Sequence, residues 1–120
     1  MNTTALAAAS LVLLGLAAGT RQALPAEDPE PVIRIKARRF EYEPREVTVK
    51  RGVPVILELV SEDRTHGFKL HALGVRADVK PGQPARVRIV PQKAGRFSFQ
   101  CDVFCGSGHE DMNGDLVVVD

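Results

Sequence analysis

The side chains best suited to metal chemistry lie together near the C-terminal end of the chain. Cys101, Cys105, His109 and Met112 fall within twelve consecutive residues. Thiolate, imidazole and thioether are soft ligands, a combination that selects copper and, on ligand type alone, also zinc. Because a thiolate sulfur can bridge two metal ions, the paired cysteines allow a compact two-metal site. This run predicts a metal centre, and the order of its ligands favours copper.

A second imidazole for a two-metal site must come from elsewhere in the chain. His66 follows the apolar strand pattern at residues 55–61. In a β-sandwich, loops from one end of the strands come together, so His66 is predicted to meet the cysteine-rich run. His71, five residues later, is interpreted as an ordinary strand residue.

The elements that must position these ligands are β-strands. From residue 32 onward apolar and polar residues alternate with a period of two, which is the pattern of half-buried strands. Turn signals such as Pro81-Gly82 separate the runs. Phe97, Phe99 and Cys101 share one face of their run, which predicts Cys101 at the rim of the core. About seven short strands without a convincing amphipathic helix predict an antiparallel β-sandwich. The apolar runs cover residues 32–38, 47–49, 55–60, 68–73, 85–89, 97–101 and 116–119.

The N-terminal segment is interpreted as a targeting element. Residues 5–19 are apolar, but this stretch is shorter than the roughly 20 residues that cross a bilayer. No Lys or Arg precedes it, which leaves an uncleaved anchor as the alternative to a signal peptide. Residues 1–26 are therefore predicted to be a signal peptide or membrane anchor with a spacer, and residues 32–120 the folded domain. Both interpretations place the domain in the periplasm or on the outer face of the cytoplasmic membrane.

The charge balance excludes a nucleic-acid binder. The chain has 16 Lys and Arg against 15 Asp and Glu, and removal of residues 1–26 takes away one base, Arg21, and no acid. A nucleic-acid binder needs a basic surplus gathered on one face.

Four segments of the chain resemble the CuA domain of cytochrome c oxidase subunit II, a member of the cupredoxin superfamily. They are the His66-Gly-Phe segment, the Pro81-Gly82 turn, the strand that ends at Cys101 and the Cys-x3-Cys-Gly-x2-His-x2-Met run. The resemblance covers essentially all of residues 32–120. It implies an all-β fold, a cupredoxin-like antiparallel Greek-key β-sandwich.

The resemblance also implies a set of copper ligands. Cys101 and Cys105 would bridge two copper ions of a CuA-type centre, and His66 and His109 would each bind one. Met112 would be a weak ligand, and the main-chain carbonyl of Val103 another. Many family members carry Glu at the position of Val103, and a backbone oxygen can be supplied by either residue.

The function implied by the resemblance is one-electron transfer from a cytochrome or other small redox donor to a redox enzyme. The chain would have no catalytic site of its own and would act as the electron-entry subunit of a cytochrome c oxidase or as a free carrier, with membrane association through its N-terminus. The family often uses an aromatic patch for electron entry, and this chain contains no Trp. The resemblance therefore specifies the metal more closely than the partner.

Three alternatives use the same residues. A periplasmic copper chaperone or storage protein would need an accessible, exchangeable site. A mononuclear blue-copper carrier would use His66, one cysteine, His109 and Met112, and would leave the other cysteine unexplained. A plain binding module would join its two cysteines in a disulfide.

Acidic residues crowd the predicted ligand loop. As a solvated rim they would have no specific role, whereas as a docking site they would steer a basic partner toward the metal. They are Asp102, Glu110, Asp111 and Asp115.

Overall fold

The computed structural model describes residues 29–120, together with Gly15 and Gly19. The predicted signal peptide or anchor, residues 1–26, lies outside the described residues apart from those two glycines. Within the described part of the chain, no helix has both the length and the apolar character needed to span a bilayer.

The described residues form nine strands, and their helical segments are the two short 3₁₀ turns His71–Leu73 and His109–Asp111. One sheet has the strand order β2-β1-β4-β7 and the other β3-β9-β8-β5-β6. The predicted all-β sandwich is confirmed. The strands are β1 (Val32–Arg38), β2 (Glu41–Glu43), β3 (Glu46–Lys50), β4 (Val55–Ser61), β5 (His66–Leu70), β6 (Val75–Val79), β7 (Ala85–Ile89), β8 (Gly95–Gln100) and β9 (Asn113–Val119).

Two strand pairs in the sandwich are parallel. β1 runs parallel to β4, and β3 runs parallel to β9, whereas the other pairs are antiparallel. A parallel pair needs a crossover between its strands. The crossover from β1 to β4 contains β2 and β3, and β3 belongs to the opposite sheet. The chain therefore passes from one sheet to the other between β1 and β4.

A row of charges fixes the register of three strands in the first sheet. Glu58 of β4 lies between Arg34 of β1 and Arg86 of β7. Its carboxylate oxygens lie 2.7 Å from the Arg34 guanidinium and 2.8 Å from that of Arg86. These hydrogen bonds hold the pKa of Glu58 below its usual range. Because each arginine binds a different oxygen, a shift of either neighbouring strand would break one of the pairs.

An aromatic cluster fills the core beneath one end of the sandwich. The rings of Phe68 and Phe99 lie 4.8 Å apart between centroids, and the Tyr42 ring meets that of Phe99 edge-on at 5.1 Å. All three side chains are fully buried. The Tyr42 hydroxyl donates a hydrogen bond of 2.6 Å to the carbonyl of Gly67. Gly67 directly follows His66, so the core is connected to the predicted metal ligand through this bond.

Candidate metal centre

His66 is held in the interior at the first position of β5. It lies on the same face of the strand as Phe68 and Leu70 and is fully buried. Its Nε2 atom lies 2.6 Å from Oδ1 of Asp63, whereas Nδ1 is buried without a hydrogen-bond partner among the described residues. Buried polar atoms are nearly always paired, since an unpaired one costs free energy. An orphaned imidazole nitrogen is the feature expected of a metal ligand.

The ligand loop, residues 101–112, connects β8 to β9. The backbone N–H of Cys101 donates to the carbonyl of Met112 at 3.1 Å, which closes the loop at its base. Gly106 and Gly108 adopt φ values of 131° and 104°, a region that side chains rarely occupy. A β-carbon at Gly106 or Gly108 would also come within 3.2 Å or 3.0 Å of the Phe40 ring. Glycine at both positions therefore lets the loop fold closely over Phe40.

The fold brings His66 and both cysteines together. A ring nitrogen of His66 and the two Sγ atoms lie within 4.8 Å of one another, and all three residues are buried. The backbone N–H of Gly67 donates to Cys101 Sγ at 3.3 Å. Both cysteines are free thiols in this arrangement, unlike the disulfide that the plain binding module requires.

The remaining predicted ligands lie in the ligand loop at the same end of the sandwich. His109 is half-buried, and its Nδ1 lies 3.6 Å from Cys105 Sγ. The carbonyl oxygen of Val103 lies 3.2 Å from Cys101 Sγ. Met112 is buried at the end of the ligand loop. His71 is exposed in a 3₁₀ turn at the opposite end of β5 and not within a strand as predicted.

Burial disfavours charge on the Cys105 thiol. Together with the neighbouring Cys101 sulfur, it raises the pKa of that thiol to about 11. Metal binding requires both sulfurs to lose their protons. A metal cation supplies the positive charge that the buried thiolates otherwise lack, so the cluster is suited to hold metal rather than free thiolates.

Asp102 supports the site and is not a free docking charge. Two hydrogen bonds, of 2.7 and 3.1 Å, join its carboxylate to the Arg76 guanidinium, and they hold the pKa of Asp102 below its usual range. Asp115 is similarly paired with Arg96 at 2.9 Å. The acids of the loop that have no ion pair among the described residues are Glu110 and Asp111, both exposed.

Sequence reasoning missed the residues that support the ligands. Asp63 precedes His66 by three positions in a polar turn, and that short spacing was an available signal. The sequence carried no such signal for Arg64 and Arg76, because each contacts a segment that is distant in sequence. Arg64 donates to the Cys105 carbonyl at 3.3 Å, and Arg76 binds Asp102.

Replacement of Gly67 by alanine is expected to disturb the packing of Asp102 over β5. A β-carbon there would lie 1.9 Å from Oδ1 of Asp102 and 3.0 Å from its backbone nitrogen. Arg76 holds that carboxylate in place, so we expect Gly67→Ala to lower the free energy of unfolding by about 1–3 kcal/mol. Denaturant unfolding of the metal-free protein measures it.

A double variant identifies the cause of that loss. In an Asp102→Ala background the carboxylate is absent, so Gly67→Ala should cost clearly less than in the wild type, and the two changes should be non-additive. Equal costs in both backgrounds would show that the conflict with Asp102 is not responsible.

Comparison with known proteins identifies the family to which this chain belongs. Residues 6–118 match a family model described as a cupredoxin-like domain. Cytochrome c oxidase subunit 2 of Thermus thermophilus is 30% identical over 86 residues, which are 72% of this chain and 64% of that protein. Nitrous-oxide reductase of Ralstonia nicotianae is 31% identical over 90 residues, 72% of this chain and 14% of the enzyme. The chain thus spans less than two thirds of the length of these relatives.

The same architecture occurs in a solved structure. The periplasmic domain of subunit II of cytochrome oxidase from Bradyrhizobium japonicum superimposes with a TM-score of 0.71 at 22% identity, over 78% of this chain and 86% of that one. At this identity the likeness establishes a shared fold.

Proposed function

Since this chain belongs to the cupredoxin-like family, we propose that it carries a binuclear CuA-type copper centre and transfers single electrons. The observation that supports this most strongly is the buried group of His66, Cys101 and Cys105, in which the ligand atoms lie within 4.8 Å of one another. The fold resembles the soluble domain of cytochrome c oxidase subunit II.

The donor set fits a pair of copper ions. Two thiolates are able to bridge two metal ions, and two imidazoles, from His66 and His109, provide one nitrogen for each. The Met112 thioether and the Val103 carbonyl are the weak ligands of the proposal. This soft set matches copper, and the orphaned Nδ1 of His66 gains a partner when metal is bound.

The protein's contribution to electron transfer is a rigid, dry site. The copper pair, when bound, accepts and releases one electron. The ligands come from β5 and from a loop closed at its base, so they are fixed on both sides of the site. The N–H of Gly67 donates to the Cys101 sulfur, and hydrogen bonds to sulfur together with burial tune a metal's reduction potential.

The geometry argues against the mononuclear alternative and the chaperone alternative. A mononuclear site would leave one cysteine unused, yet both sulfurs belong to the buried group. A chaperone needs ligands that a partner can reach, whereas the side chains of Cys105 and His66 are completely buried. These features favour a centre that retains its copper.

The proposed setting is outside the cytoplasm, in the periplasm or on the outer face of the cytoplasmic membrane. There the domain would take electrons from a cytochrome or other small redox donor and pass them to a redox enzyme, as an oxidase subunit or a carrier. The relatives named cytochrome c oxidase subunit 2 and the periplasmic domain of subunit II support this placement.

Copper analysis combined with electron paramagnetic resonance tests the proposed centre. Two copper ions per chain with a shared electron would support it. One copper ion per chain, or one zinc ion retained in preference to copper, would exclude it.

Two acids of the ligand loop are available for the proposed docking surface. Asp102 is neutralised by Arg76, which leaves Glu110 and Asp111 as the exposed, unpaired acids of the described loop. The Phe104 ring, 72% exposed and 5.9 Å from the His109 ring between centroids, offers an apolar contact beside them. Electron transfer from a basic c-type cytochrome should therefore depend on these two carboxylates.

Glu110→Gln combined with Asp111→Asn is expected to slow the bimolecular rate at low salt, because acidic groups near the metal edge steer a basic partner. Near 1 M salt, where the Debye length is about 3 Å, the difference should vanish. The control is Glu30→Gln with Asp120→Asn, which removes the same number of carboxylates at the opposite end of the sandwich, where they are paired with Arg88 and Arg51. A low-salt rate equal to that of the control would refute a docking role. Stopped-flow measurement of the reduction of bound copper provides the rates.

A further inference from the structure

The loop between β4 and β5 contacts both segments that carry the proposed ligands. Asp63 binds the ring of His66, and Arg64, the next residue, binds the carbonyl of Cys105 in the ligand loop. We propose that Asp63 and Arg64 form a positioning clamp, in which Asp63 determines which ring nitrogen of His66 is offered to the metal and Arg64 holds the ligand loop against the sandwich. The proposal rests on the proposed function only for the identity of the metal.

Asp63 is itself held in place by backbone donors. Its Oδ2 accepts a hydrogen bond of 2.8 Å from the N–H of Arg39, and its Oδ1 accepts one of 2.6 Å from the N–H of Arg64. The same Oδ1 lies 2.6 Å from Nε2 of His66. Because both oxygens are occupied, the carboxylate cannot turn to follow a rotation of the imidazole ring. The ring orientation is therefore set by Asp63.

This contact also sets the tautomer of His66. An ionised carboxylate only accepts hydrogen bonds, so Nε2 must carry the hydrogen. A neutral imidazole then has its lone pair on Nδ1, the atom that is buried without a partner among the described residues. Carboxylates that receive the second N–H of a ligand histidine fix the ring and raise its basicity, and their loss typically costs about 10- to 100-fold in metal affinity.

Arg64 connects the same loop to the other ligand segment. Its guanidinium donates to the Cys105 carbonyl at 3.3 Å, across 41 positions of sequence. The Ser61 hydroxyl donates a hydrogen bond to the carbonyl of Arg64, and this bond stabilises the turn. One dipeptide thus fixes the distance between His66 on β5 and Cys105 in the ligand loop. Loss of the arginine should free the loop without changing the tautomer of His66.

The first test reads the metal-free full chain by nitrogen NMR of labelled histidine. In the wild type we expect His66 to carry its hydrogen on Nε2, with Nδ1 unprotonated. Asn at position 63 can turn its amide nitrogen toward Nε2, which must then accept, so Asp63→Asn should increase the population of the Nδ1–H tautomer. A wild-type His66 that carried its hydrogen on Nδ1 would overturn the role of Asp63.

The second test measures copper affinity by competition with a chelator. Asp63→Asn is expected to weaken binding about 10- to 100-fold. Arg64→Ala should speed copper release and hydrogen exchange of the loop amides at residues 103–108. Lys80→Ala is the control, since it removes an exposed positive charge near the same end of β4, where Pro81 bridges Ser61. Release and exchange rates in Arg64→Ala equal to those of the control would overturn the role of Arg64.

The two tests separate the clamp from the proposed function. If the wild type failed to bind copper while the tautomer still depended on Asp63, the proposed function would fall and the tautomer-setting role of Asp63 would stand. If copper bound as proposed but neither the tautomer nor the affinity changed in Asp63→Asn, the role of Asp63 would fall and the function would stand.

Discussion

Reconstitution of the protein with copper is expected to give two copper ions per chain that share one unpaired electron. The reason is the pair of buried sulfurs, which lie with a His66 nitrogen within 4.8 Å and are able to bridge two metal ions. The hyperfine pattern should show coupling to two equivalent copper nuclei. Metal analysis of the loaded protein gives the stoichiometry, and electron paramagnetic resonance gives the distribution of the electron.

Replacement of either cysteine should remove this signature completely. A serine hydroxyl is a harder and far less acidic donor than a thiol, so Cys101→Ser or Cys105→Ser would leave a single sulfur and at most one copper ion. Met112→Leu should be much milder: two copper ions remain and the reduction potential shifts, because only a weak ligand is lost. Ser107→Ala is the matched control, since it removes an exposed side-chain oxygen from the same loop.

A wild-type protein that held one copper ion, coupled to one nucleus, would contradict the binuclear centre. A delocalised spectrum that survived Cys105→Ser would contradict the bridging role of that sulfur. Rapid loss of copper from the wild type to a weak chelator would favour the chaperone alternative.

Much of the strand pattern could be predicted because half-buried strands alternate. β1 and β7 coincide with the predicted runs, and β3, β4 and β8 differ from theirs by one or two residues at an end. β5 ends at Leu70, where the run was predicted to continue to residue 73, and β9 begins three residues earlier than predicted. β2, Glu41–Glu43, has a single buried residue, Tyr42, and a single residue carries no periodicity. In β6, Val75, Ala77 and Val79 do alternate with polar residues, so the signal was present and was not used. Alternation shows which face is buried but not the strand direction, which is why the parallel pairs were not predicted.

The ligand cluster could be anticipated in part because most of its members are close in sequence and chemically rare. The supporting residues could not, since Arg and Asp are common on any surface. Asp102 shows the difference: in the sequence it is one acid among several near the ligands, whereas in the fold it lies over Gly67 and is bound by Arg76. Only the antiparallel approach of β5, β6 and β8 brings these residues together.

Copper is also expected to raise the midpoint of thermal unfolding strongly. A ligand that binds only the folded state at a thousand times its dissociation constant stabilises that state by about 4 kcal/mol. In a domain of about 60–100 residues each kcal/mol corresponds to about 4–8 °C, so the midpoint should rise by about 15–30 °C. Calorimetry of the protein with and without copper, loaded under anaerobic conditions to protect the thiols, measures the shift.

Two histidine variants test whether the stabilisation by copper depends on the proposed site. In the proposed centre His66 would connect β5 to the ligand loop through the metal, whereas His71 is exposed just beyond the far end of the same strand. His66→Ala should therefore lose most of the copper-dependent shift, and His71→Ala should keep it. Copper bound to the cysteines of the unfolded chain reduces the shift equally in both variants, so their difference reports on the folded site. A full shift in His66→Ala would mean that copper is held by the ligand loop alone, and the proposed contribution of β5 to the centre would be wrong.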